Sequence, residues 1–121
     1  MHEEKSDRAL RYIDLVRKNA LEIVLPDLWK YEVSNVVLQN SKSEKTLSYE
    51  HTMDALFDGM FKTESLDDET FSWTYDKCKE TGTTSYHMSF LALAKYYETK
   101  LITSDRKFYN KVHHLGDIEL L

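Results

Sequence analysis

A chain of 121 residues in which 41% of side chains are hydrophobic and 31% charged has the size and balance of one globular domain, able to bury a core without disulfides or a structural metal. Its net charge of -5 excludes a broad basic face for gripping nucleic acid, so any RNA contact has to be local. No apolar run is long enough to cross a bilayer, the single Cys78 cannot form an internal bridge, and the opening MHEEKSDR lacks the apolar segment of a secretory signal. A single domain over residues 1–121, cytoplasmic and without a membrane partner, is expected.

Only three glycines and one proline are present, which favours helices joined by short polar loops. Leu10, Ile13, Val16 and Ala20 recur at near-helical spacing and predict an amphipathic helix from Lys5 to Ala20. Glu22 to Leu25 is a short, largely apolar run stopped by Pro26, as in a buried strand. Asp27 then begins a helix in which Trp29, Val33, Val36 and Val37 share one face. A polar loop from Asn40 to Lys45 leads to a second amphipathic helix, Tyr49 to Phe61, carrying Met53, Leu56, Phe57 and Met60, and Phe61 to Leu66 is compatible with a short edge strand.

Asp67, Asp68 and Glu69 read as a helix start, with Phe71, Trp73 and Tyr75 following and Gly82 as the stop. This acidic trio has the placement of caps and first-turn charges rather than of metal ligands. The run from Ser85 to Tyr97 is apolar enough to be a helix buried on more than one side. Leu101 to Thr103 predicts a strand, Asp105 opens a short helix through Val112, and Ile118 to Leu120 predicts the last strand. The fold class is α/β, with a short parallel sheet and right-handed crossovers flanked by helices in three layers.

In such folds ligands gather beyond the carboxyl ends of the strands. Glu32 lies in the first turns of the helix after the first strand with Asn35 one turn on, Asp105 directly follows a strand, and His87 is near the start of the buried helix. A glutamate, an aspartate and a histidine from three elements thereby approach one edge. Each also has a plainer role, since Asp105 suits a helix cap, Glu32 suits a helix start and His87 suits a hydrogen-bonded packing residue. The basic residues Lys95, Lys100, Arg106, Lys107 and Lys111 near the C-terminus read as a solvated surface.

Taken together, two segments resemble the PIN domain family and within it the VapC-type ribonuclease toxins. LPDLWKYEVSNVVLQ is similar to the family's strand ending in Pro, followed by a helix carrying Tyr-Glu-Val and Asn-Val. TSYHMSFLALAKYYETKLITSDRKF resembles its later block, a helix with Leu-Ala-Leu-Ala and then a strand ending in Thr-x-Asp-Arg. The resemblance implies a PIN-like fold and metal-dependent hydrolysis of RNA phosphodiesters. It also implies Mg²⁺ or Mn²⁺ at carboxylates, catalytic Glu32 and Asp105 with the hydroxyl of Thr103, an antitoxin-like protein partner, and a homodimer. Two departures accompany it. The family's first strand, which ends in an aspartate, has no counterpart here, and His87 stands where a helix aspartate is expected, so the implied metal set is Glu32, Asp105 and His87, with nitrogen replacing an oxygen that Mg²⁺ prefers. A second class of function, an inactive module that keeps the fold and binds an antitoxin-like partner or itself, is compatible with that reduced site. A flavodoxin-like binder of small molecules ranks last because no Gly-rich phosphate loop is present.

Overall fold

A computed structural model describes residues 2–18, 20, 22–32, 35 and 61–121. Helix α1 runs from His2 to Arg17. Lys18 N–H donates to the Asp14 carbonyl and Ala20 N–H to that of Leu15, which closes the helix before the expected end at Ala20. Its inward stripe keeps Val16 of the expected one but not Leu10 or Ala20, and the side chain of Ile13 lies outside the described residues. Ala9, Tyr12 and Val16 are half-buried, whereas Leu10 is 63% exposed and Ala20 faces solvent.

Strand β1, Ile23–Pro26, pairs in parallel with β2, Phe61–Glu64, in the register Val24↔Lys62 and Leu25↔Thr63. The stretch around Phe61 thus forms a strand, and the helix expected to reach Phe61 lies otherwise, over residues 49–60, outside the described residues. Beyond Pro26 the ladder continues through Asp27, whose N–H donates to the Glu64 carbonyl. A helical turn over residues 29–32 is pinned above β2 by Trp29, which is buried and donates Nε1–H to Thr63 Oγ1 at 3.2 Å. Of the face expected on that helix, Val33, Val36 and Val37 lie outside the described residues; so does the loop at 40–45.

Helix α2, Asp68–Thr81, begins as its acidic start suggests, because Asp67 accepts the Thr70 amide at 2.7 Å and Asp68 and Glu69 occupy the first turn. It ends where Gly82 takes φ 70° and donates its N–H to the Cys78 carbonyl. Aromatic residues at i, i+2 and i+4 cannot share one helical face. Trp73 accordingly turns to the core, Phe71 and Tyr75 are exposed, and Thr74 is buried with its hydroxyl on the Thr70 carbonyl.

Helix α3, Ser85–Tyr96, buries Met88, Ser89 and the run Leu91 to Ala94. It packs on α2 and touches both β1 and β3. Strand β3, Leu101–Thr103, leads into α4, Arg106–Val112, then a 3-10 turn at His113–Leu115, and finally β4, Ile118–Leu120, which pairs in parallel with β3. Met88, Leu91, Phe108 and Val112 form the innermost cluster, with Trp73, half-buried Cys78, Leu101, Leu115 and Ile118 packed against it.

The class is α/β with short parallel strands, but the one sheet expected is replaced by two. Among the described residues β1 pairs only with β2, and β3 only with β4. Period-2 patterning identifies strands and carries no information on which strands pair, whereas the resemblance places the family's absent first strand between β1 and β3, where the two sheets part. No helix among the described residues is long and apolar enough to cross a membrane.

Removing the fully buried Leu91 side chain leaves a cavity between α3 and α4, so Leu91→Ala should lower stability by about 2–5 kcal/mol in urea unfolding. At Gly82 a Cβ would meet nothing within 4 Å, yet φ is positive. Gly82→Ala should therefore cost about 1–2 kcal/mol from backbone strain alone, and Gly82→Asn less, in the same measurement.

Candidate functional site

The N-termini of two helices and the end of one strand meet where the candidate residues lie. Thr84 is the N-cap of α3, accepting the His87 amide at 3.2 Å, and His87 Nδ1 lies 3.0 Å from the same hydroxyl. His87 thus stands at the third helical position, where its ring meets the N-cap hydroxyl instead of the N-cap N–H that the Glu or Gln of a capping box takes. With Nδ1–H donated to Thr84, the lone pair of Nε2 points outward; with the other tautomer it carries the proton. The ring is exposed and stands against Tyr86 and Phe108, with centroids 5.6 Å and 5.7 Å away.

Asp105 is the N-cap of α4, and its Oδ1 accepts the Phe108 amide at 3.0 Å. Its own N–H donates to Thr103 Oγ1 at 3.1 Å, so the threonine hydroxyl fixes the turn that presents the carboxylate. Phe108 is the common neighbour, capped by Asp105 through its backbone and faced by His87 through its ring. On the other side stands Tyr86, whose phenol is raised above its ordinary pKa by burial and, secondarily, by the negative charge of Glu32. Glu32 and Asn35 are both exposed. Along this edge Phe108 therefore joins His87 to Asp105 and Thr103, with Tyr86 beside His87.

These residues share an edge without closing into a cage. Among the described residues no group of three or more His, Cys, Asp or Glu side chains stands close enough to hold a metal ion. Tyr86 went unnoticed as a member of this edge, although an aromatic beside a helix-start histidine is a signal that could have marked it.

The basic concentration resolves into local structure. Lys95 Nζ donates to the Leu115 carbonyl and pairs with Asp117, Lys100 pairs with Glu119, and Lys111 donates to the Gly82 carbonyl. The Lys100 and Glu119 pairing raises the lysine pKa and lowers that of the carboxylate, in each case mainly through their mutual hydrogen bond. Three of the five cations are thus engaged within the fold and are poor candidates for phosphate contacts.

No protein-family model matches the chain, and no curated protein matches it in sequence.

Capping and chemistry at Asp105 can be separated. Asn caps a helix as well as Asp does, so Asp105→Asn should keep its thermal unfolding midpoint near that of the parent, whereas Asp105→Ala should lose about 1 kcal/mol with the cap.

Proposed function

We propose that this chain is a PIN-like ribonuclease of the VapC toxin type, with a reduced acidic site that hydrolyses RNA phosphodiesters and an antitoxin-like protein as its partner. What supports the reading is the meeting of His87, at the start of α3, and Asp105, at the carboxyl end of β3, around Phe108, with Glu32 carried by the helical turn after β1. The PIN-like fold and the homodimer belong to the same proposal.

Glu32 and Asp105 are the residues that would hold Mg²⁺ or Mn²⁺. When bound, such an ion neutralises phosphate charge and makes water a better nucleophile. Thr103 positions Asp105 by accepting its backbone N–H, so that the carboxylate is set before any ligand arrives. His87 adds a ring nitrogen to this edge, its orientation fixed by Thr84. Having two carboxylates rather than a larger cluster lowers cation affinity, because each lost charge removes attraction for the ion.

A second reading belongs to a different class: a catalytically inactive module that keeps the fold and binds an antitoxin-like partner or a second copy. The two separate sheets favour it, since each leaves a strand edge open to pairing among the described residues.

Incubation of this chain with mixed RNA and Mn²⁺ or Mg²⁺ decides between them. The nuclease reading expects metal-dependent cleavage that Glu32→Gln and Asp105→Asn each reduce by at least about 10-fold, the scale on which even outer-shell ligand changes act. Cleavage unaffected by both substitutions, or no cleavage with either ion, overturns it.

A further inference from the structure

The imidazole of His87 is exposed, and yet it is held in place. Its Nδ1 lies 3.0 Å from Thr84 Oγ1, and the rings of Tyr86 and Phe108 stand 5.6 Å and 5.7 Å from it, inclined at 54° and 44°. An exposed side chain ordinarily samples several rotamers, and ordering it on binding costs free energy. Three neighbours have already fixed this one, so a partner meets a flat surface in a set orientation. Phe108 is itself buried and takes its cap from Asp105, which fastens the ring and the carboxylate to one residue.

Positive charge stands at the same place. Of the five cations near the C-terminus, Lys95, Lys100 and Lys111 are engaged within the fold, whereas Arg106 and Lys107 are exposed in the first turn of α4, which holds no acidic residue. In a chain of net charge -5 these two put a local attraction for phosphate directly beside Asp105. The carboxylate that the resemblance implies at position 87 would repel a phosphate strand and offers no face to a base. An imidazole removes that repulsion and supplies the face.

We propose that His87 is a positioning residue for the substrate: its imidazole stacks on an unpaired base of an RNA strand, while Arg106 and Lys107 take the flanking phosphates and hold the strand against Asp105. The assignment rests on the nuclease reading for its substrate and gives His87 to the base rather than to the ion. Every base has a π-face, so the contact orders the strand without choosing its sequence. Thr84 acts at one remove, by setting the orientation of the ring.

The test measures binding in EDTA, so that no metal-dependent cleavage intervenes, with two fluorescein-labelled probes of equal charge: a hexamer of adenylate and a sugar-phosphate hexamer lacking the bases. By anisotropy the parent chain should bind the adenylate probe about 10-fold more tightly than the baseless one. His87→Ala should lose that preference while keeping its affinity for the baseless probe, and His87→Phe should restore it. Arg106→Ala should weaken both probes alike and flatten the dependence on salt. In NMR spectra of the parent the ring protons of His87 should move upfield on addition of adenylate, the mark of a base lying over the imidazole. Equal affinity of the parent for the two probes overturns the proposal, and so does a preference that survives His87→Ala. Failure to bind either probe overturns it as well, as does an equal loss of both in His87→Ala, which would make the residue structural. Cleavage is scored apart from binding: the expected binding pattern without cleavage keeps the His87 assignment and removes the nuclease reading, whereas cleavage beside unaltered binding in His87→Ala does the reverse.

Discussion

The burial of one helix governs this fold. Helix α3 is flanked by α2 and touches β1 and β3, so its side chains have to be apolar over most of its circumference, and the sequence between Met88 and Ala94 supplies that with Ser89 as the single polar member. Ser89 is tolerated because its hydroxyl finds the carbonyl of Tyr86 within the same helix. With α3 fixed, its N-terminus is fixed as well, and Thr84, Tyr86 and His87 are held beside Phe108 and the Asp105 cap. The candidate site is in this sense a by-product of core packing, since the elements that carry it are also the ones that bury Met88, Leu91, Phe108 and Val112.

The same helix bridges two sheets that do not pair with each other among the described residues. Each pair of parallel strands is short, and parallel strands normally depend on layers covering both faces. Here α3 supplies much of that cover for both pairs, which ties the geometry of the acidic edge to the packing of both sheets. A shift of β3 relative to α3 would move Thr103 and Asp105 together with Ile102, because these residues belong to one continuous stretch of chain.

Much of the local structure was legible in the residues. The stop at Gly82, the caps at Asp67 and Asp105, the strands at Leu101–Thr103 and Ile118–Leu120 and the buried helix from Ser85 follow from short-range rules of capping, branching and periodicity. Features set by distant partners were less legible. In Phe61–Glu64 only one residue is clearly apolar, and its strand character comes from its pairing with β1. Leu10 fits the spacing of a buried stripe yet is exposed, whereas Val16 is half-buried as its spacing implies and Ala9 and Tyr12 join it. At the candidate site strand and helix ends suggest which residues approach one another, but not the separations between them. Those depend on the angles at which three elements pack, and no local pattern encodes them.

The two indoles divide the molecule between them. Trp29 is buried beside the first strand pair, with its ring nitrogen on Thr63, whereas Trp73 packs against the cluster that supports the second pair and lies 6.0 Å from the Lys95 ammonium. Each half of the fold carries an optical reporter of its own, one in a hydrogen-bonded apolar pocket and the other next to a cation. Replacing either by Phe leaves the other to be read alone, so the question of whether the two halves melt as one cooperative unit is open to ordinary fluorescence, without any label.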